Sequence, residues 1–256
     1  MSGPDPMRTG GLAWTQRTKG RLTPGERRRL LGHIAAELGG YVAGRLRAAT
    51  GRVPAGARDL SAEALAPPDS KLVRAAEAAC AEQPPSLIGH GYRTWMFGSG
   101  LAAVDAVSMD IEQFYVACLL HDYGIAEVVT GEDFTLRSAS RLESCADDAG
   151  LAAGSIAPAA DAITVHATPG IDVDTDGALG VYVQAGAMFD LAGRRVGDLS
   201  RGYRDQVISR HPRDGVSAAI VAMIKAEASA NPGGRFAFLN RCGMPLLVQL
   251  NPLRPR

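Results

Sequence analysis

The chain has 256 residues, 46% of them hydrophobic and only 5% aromatic, and its 27 basic and 27 acidic side chains cancel. That length buries one substantial core, and a composition rich in Ala and Leu with few aromatics favours helix over sheet. Zero net charge argues against bulk electrostatic binding to nucleic acid or to an anionic membrane. The four cysteines, Cys80, Cys118, Cys145 and Cys242, show no Cys-x-x-Cys spacing and read as small core hydrophobes in a reducing compartment. The first 29 residues lack the apolar core of a signal peptide, and no segment approaches about 18 uninterrupted apolar residues, so the expectation is a cytoplasmic protein.

Residues 1–22 are rich in Gly, Pro and Arg without periodicity and predict a flexible arm. Thr23-Pro24-Gly25-Glu26 then has the order of a helix start, with Thr as cap, Pro at the first helical position and Glu at the third. The helix it opens, to about Ala49, carries Leu30, Leu31, Ile34, Leu38, Tyr41, Val42 and Leu46 along one stripe. Gly51, Pro54, Gly56 and Pro67 break the chain, so 23–66 reads as an N-terminal helix plus an irregular connection.

A main helical domain is expected over 67–243. Its helices cover Lys71–Ala81, Ser86 to about Val107, Met109–Leu120, about Leu136–Ala149, Ala157–Thr168, Gly177–Leu191, Arg201–Ile208 and Gly215–Ala230. Ile171–Asp176 reads as an acidic loop and 244–256 as an irregular tail with three prolines. No strand alternates with these helices, and the predicted architecture is all-α.

Polar residues on inward faces carry the chemistry. His90 shares a face with Leu87, Thr94, Trp95 and Leu101. His121-Asp122 closes the run Ile111, Phe114, Tyr115, Cys118, Leu119. His166 ends its helix before Pro169-Gly170, and Asp190 lies near the end of another helix. Burying an imidazole beside a carboxylate costs several kcal/mol unless the two are paired or bind a metal. A His nitrogen beside an Asp oxygen is a mixed donor set suited to one divalent transition metal, zinc first, with iron and manganese as alternatives. Such a metal acidifies water and polarises a multiple bond, and His166 has a pKa suited to passing a proton near neutrality. Arg93, at i+3 from His90, can neutralise a substrate oxygen or Asp190, or simply tie two helices together.

The order His, then His-Asp about thirty residues on, then a distant Asp resembles the HD-domain superfamily of metal-dependent hydrolases. Further pieces narrow the likeness: Pro68-Asp69-Ser70, His90-Gly91-Tyr92-Arg93-Thr94-Trp95, Leu119-Leu120-His121-Asp122, Asp133-Phe134, Ile163-Thr164-Val165-His166, Gly186 to Gly193, and His211-Pro212-Arg213. Together they resemble the cyanamide hydratase branch of that superfamily, over about residues 65–243. The resemblance implies an HD-type helical bundle around a buried metal. It makes His90, His121, Asp122 and Asp190 the metal ligands and places His166 beside them, facing the substrate. The chain departs from the branch at Phe134-Thr135 and Ser138-Ala139, where a Phe-Glu pair followed by Gly-Ala is expected, and at Gly91, where Ser is more usual. Thr135 in place of a carboxylate leaves the substrate open.

These readings define the functional expectation. The first is a metal-dependent hydrolase or hydratase acting on a small cyanamide- or nitrile-like substrate, with His166, Arg93 and Thr135 in the catalytic pocket. The alternative is an HD-type phosphohydrolase of a nucleotide or phosphate ester. That chemistry calls for several cationic side chains and often a second metal, whereas the pocket helices offer Arg93 and Arg137 and no lysine. A di-iron oxygenase would need more histidine than the chain supplies, and a non-catalytic domain would predict an eroded ligand set. The expected partner is a small molecule, with neither nucleic acid nor membrane; the N-terminal helix and the tail are the candidate contact elements of a homodimer.

Overall fold

The computed structural model describes residues 7–152 and 154–253. Among them the secondary structure is helical throughout, apart from one isolated antiparallel bridge between Arg21 and Gly234. In chain order the helices are α1 (Leu12–Thr18), α2 (Pro24–Thr50), α3 (Lys71–Ala81), α4 (Pro85–Val104), α5 (Ile111–Leu120), α6 (Phe134–Asp148) and α7 (Ala157–Val165). There follow α8 (Val173–Asp176), α9 (Ala178–Ala192), α10 (Arg201–Arg210), α11 (Val216–Ala230), α12 (Arg235–Arg241) and α13 (Met244–Gln249). None of them is long and apolar enough to cross a membrane.

Local chemistry explains the starts. Thr23 and Glu26 form a complete capping box ahead of Pro24, while Ser70, Asp110, Asp133 and Ser200 each accept a backbone N–H from the first turn they precede. The core lies where α3, α4, α5, α6, α7 and α9 pack together, and α4 against α9 is the most extensive pairing.

That pairing depends on glycine. A Cβ on Gly186 of α9 would sit 2.1 Å from the Thr94 carbonyl oxygen and 2.9 Å from the Gly98 nitrogen of α4, and one on Gly98 would meet Phe114 and the Tyr182 carbonyl at 2.7 Å. The two backbones therefore cross in direct contact. Residues one to two turns from the crossing, His90 and Arg93 on α4 and Asp190 on α9, are brought into hydrogen-bond range as a result.

Three sequence expectations are revised. Within the stretch expected as an arm, residues 12–18 form α1, because Trp14 and Thr15 are buried and Trp14 Nε1 donates to Glu26 at 2.8 Å; residues 1–6 of that arm lie outside the described part. The tail forms α13, preceded by α12, its Val248 is fully buried, and Asn251 and Leu253 are buried after it. The acidic loop contains the short α8. The apolar stripe of α2 is only partly used: Leu30 and Tyr41 are buried, but Leu31, Leu38, Val42 and Leu46 are exposed, since α2 lies along the edge of the bundle and meets it on one side only.

One buried ion pair fastens α1, α6, α7 and α12 to one another. Arg235 of α12 holds Asp133, the cap of α6, through Nε and Nη2 at 3.0–3.1 Å; it also donates to the Thr164 carbonyl and stacks 5.5 Å from the Trp14 ring. Thr135 belongs to this knot. Its hydroxyl donates to Asp133 at 2.6 Å and accepts from Arg235 at 3.0 Å.

Two stability predictions follow from these contacts. Gly186→Ala should cost about 1–3 kcal/mol by forcing α4 and α9 apart, whereas Gly39→Ala, on the exposed side of α2 with nothing within 4 Å of its Cβ position, should add about 0.5–1 kcal/mol; denaturant unfolding reads both. Arg235→Ala leaves Asp133 buried without a counter-charge and should cost about 3–5 kcal/mol in the same measurement.

Candidate metal centre

His90, on the buried face of α4, is wholly inaccessible to solvent. His121 and Asp122 follow the last turn of α5, where the backbone leaves the helix, so both side chains turn back toward α4. His166 caps α7 in the same way, and its ring stands 4.9 Å from that of His121 at right angles. All four residues are buried.

The ring nitrogens are sorted by their partners. His121 Nδ1 faces the Cys118 carbonyl at 2.8 Å, His166 Nδ1 faces the Ile163 carbonyl at 2.6 Å, and His90 Nδ1 faces the Asp190 carboxylate at 2.8 Å. Each partner accepts only, so each neutral imidazole carries its proton on Nδ1 and leaves Nε2 bare. The bare Nε2 atoms of His90 and His121 then face each other at 3.2 Å, with an Asp122 oxygen at 3.6 and 3.5 Å from them.

Two unshared lone pairs and a carboxylate at such distances make a place that a cation between them would fit. A shared proton is a poor candidate, because burial pushes the His121 imidazole down to about 3, against the pull of Asp122. Ligand atoms about 2.0–2.2 Å from one centre at tetrahedral angles stand roughly 3.3–3.6 Å apart, which matches these edges. His90, His121 and Asp122 thus form a group that can hold a metal ion. Burial works to raise the Asp122 carboxyl, but His121, His166 and His90 outweigh it and hold the group ionised, well below the usual carboxylate range.

Asp190 stands outside that group, on the far side of His90. One oxygen takes His90 Nδ1; the other takes Arg93 Nε and Arg213 Nε, each at 2.8 Å. These cations and His90 overcome burial and keep Asp190 ionised. An ionised carboxylate behind a ligand imidazole fixes the ring and raises its basicity. Arg93 reaches onward to the Pro212 carbonyl at 2.7 Å, so it joins α4, α9 and the loop after α10 rather than facing open space.

A cavity opens on the His121, Asp122 and His166 side, with walls from α2, α9, α11, α12 and α13. The structure brings His166 to this space, its Nε2 3.6 Å from Asp122. It does not bring Thr135 or Arg93, neither of which lines the cavity. The expectation that Thr135 faces substrate is therefore corrected: its hydroxyl is consumed by the Asp133–Arg235 knot. Arg137 is likewise engaged elsewhere, donating to the Gly124 carbonyl at 2.8 Å.

Sequence reasoning missed Arg213 and Asn251. Arg213 clamps both the carboxylate and the carbonyl of Asp190, and Asn251 Nδ2 donates to the same carbonyl. Arg213 stood in the His211-Pro212-Arg213 segment; its value as a second cation for Asp190 had no local signal. His211, expected to be structural or exposed, is half-buried and stacks on Tyr92 at 4.7 Å with 3° between the planes. The cysteines are all free, three of them buried in the core.

Comparison with protein-family models and with curated proteins gives no match.

The His211 imidazole is pushed down to about 4 by burial and by Arg93 and Arg210. A histidine held below its unfolded value stays neutral in the fold while the unfolded chain takes up a proton, so it subtracts stability as pH falls from about 6.5 toward 4. His211→Gln should flatten the stability profile over that window, as measured by thermal unfolding at stepped pH.

Proposed function

We propose that this protein is a metal-dependent hydrolase or hydratase that adds water to a polar carbon–nitrogen bond of a small organic substrate. One observation carries the reading: the bare Nε2 atoms of His90 and His121 and the Asp122 carboxylate converge at the buried end of an open cavity. The carbon–nitrogen substrate rests on the motif resemblance to the cyanamide hydratase branch of HD-domain proteins; the hydrolytic chemistry rests on the donor set.

His90, His121 and Asp122 would hold the ion, with zinc the first candidate. A divalent metal supplies acidified water and polarisation of the substrate multiple bond. Asp190, clamped by Arg93 and Arg213, keeps the His90 ring oriented and its Nδ1 protonated. His166, its Nδ1–H spent on Ile163, presents a bare Nε2 beside Asp122, where it would take up the proton that the added water gives up and pass it to the nitrogen that gains charge. The phosphohydrolase reading ranks below this one, because Arg194 is the cationic residue lining the cavity and it is already held by Glu37 and Gln184.

Metal analysis of the purified protein should find about one transition-metal ion per chain, lost in His121→Ala. His166→Gln should keep the metal yet lower turnover of cyanamide or simple nitriles by about 10²–10⁴-fold. Absence of bound metal, with His121→Ala changing neither metal content nor stability, would sink the proposal; turnover of a phosphate ester with cyanamide and nitriles untouched would transfer it to the phosphohydrolase class.

A further inference from the structure

The cavity is far larger than cyanamide, which has three heavy atoms. The empty space between its walls and out into the solvent at its mouth is about 870 Å³. At one end lie His121, Asp122 and His166, all buried; at the other lie half-exposed Leu38 of α2, with Leu239, Met244 and Leu247 of α12 and α13 partly exposed beside it. The walls between are apolar, with Leu191, Ile220, Ile224 and Phe236 buried against the space.

Glu37, Arg194 and Gln184 along the way are already satisfied by one another and by backbone groups. Glu37 accepts from the Gly170 N–H at 3.1 Å and pairs with Arg194 at 3.4 Å; Arg194 donates to Gln184 Oε1 at 3.0 Å; Gln184 Nε2 donates to the carbonyls of His166 and Thr168. A charged ligand would have to break this chain of contacts, whereas an apolar one leaves it intact. Tyr41 lines the same space, and its buried hydroxyl has no hydrogen-bond partner.

We infer that the cavity selects a neutral substrate with an extended apolar body, entering between α2 and the α12–α13 pair and placing its polar head at His121, Asp122 and His166. Cyanamide fills only the polar end. The inference rests on the proposed function for what happens to the head, but the selection of the body depends on the walls alone. Leu38 at the mouth and Ile220 and Phe236 deeper in are specificity-determining contacts for that body. The Tyr41 hydroxyl offers one hydrogen bond to a polar atom part-way along it.

The test is a binding series with straight-chain primary amides from acetamide to octanamide, titrated calorimetrically into wild type, His121→Ala and Leu38→Glu. Cyanamide, inorganic phosphate and adenosine monophosphate serve as comparison ligands. Affinity for wild type should rise roughly threefold to fourfold per methylene, and His121→Ala should keep that slope, because it removes head chemistry and not walls. Leu38→Glu, at an exposed position that the fold tolerates, should flatten the slope while leaving metal content unchanged. A flat series, or tighter binding of adenosine monophosphate or phosphate than of octanamide, overturns the inference. The two readings fail separately: a steep slope in a protein without metal or turnover defeats only the catalytic proposal, and turnover of cyanamide alongside a flat amide series defeats only this one.

Discussion

The structure depends on one carboxylate, Asp190, and on what surrounds it. Three elements distant in sequence meet there: α4 through His90 and Arg93, the loop after α10 through Arg213, and the C-terminal segment through Asn251. A bare buried carboxylate is prohibitively costly, while one held by two guanidiniums and an imidazole is fixed in charge and place. Through His90 this fixes the direction of the nitrogen that faces His121. The acid is thereby central to the geometry while touching none of the cavity.

The glycine crossing makes that arrangement reachable. With side chains at Gly98 and Gly186, the axes of α4 and α9 would stand further apart and the Asp190 carboxylate would not reach His90 and Arg93 together. Gly91 plays a related part on the α5 side, where a Cβ would lie 3.2 Å from the Leu119 backbone. The missing side chain leaves room for α5 to approach α4.

Helices with strong punctuation were legible in the sequence. Thr23-Pro24, Ser70 and the Gln83-Pro84-Pro85 stop give boundaries within a residue or two, and the helical spacing around His90 and ahead of His121-Asp122 marks those three residues as inward-facing, as they are. Elements whose stability is tertiary were not legible. α1 has seven residues and owes its existence to Trp14 under Arg235, and α13 has six and owes it to Val248. The role of Thr135 was misjudged for the same reason: its partner Arg235 lies a hundred positions away, and spacing along one helix cannot report it. The stripe on α2 shows the converse, since periodicity identifies an apolar face without saying that anything covers it.

Asn251 and Leu253 close over Asp190 from the last stretch of the described chain, Asn251 on its carbonyl and Leu253 accepting from Arg213. Synthesis therefore delivers the histidines long before their clamp. Until the segments carrying Arg213, Asn251 and Leu253 have packed onto α9, Asp190 lacks these contacts and the His90 ring lacks a fixed acceptor. Alignment of the site rests on contacts of high sequence separation, which are slow to form. An N-terminal fragment ending before the α10–α11 loop would keep the His-Asp motif intact on paper and lack the means to aim it.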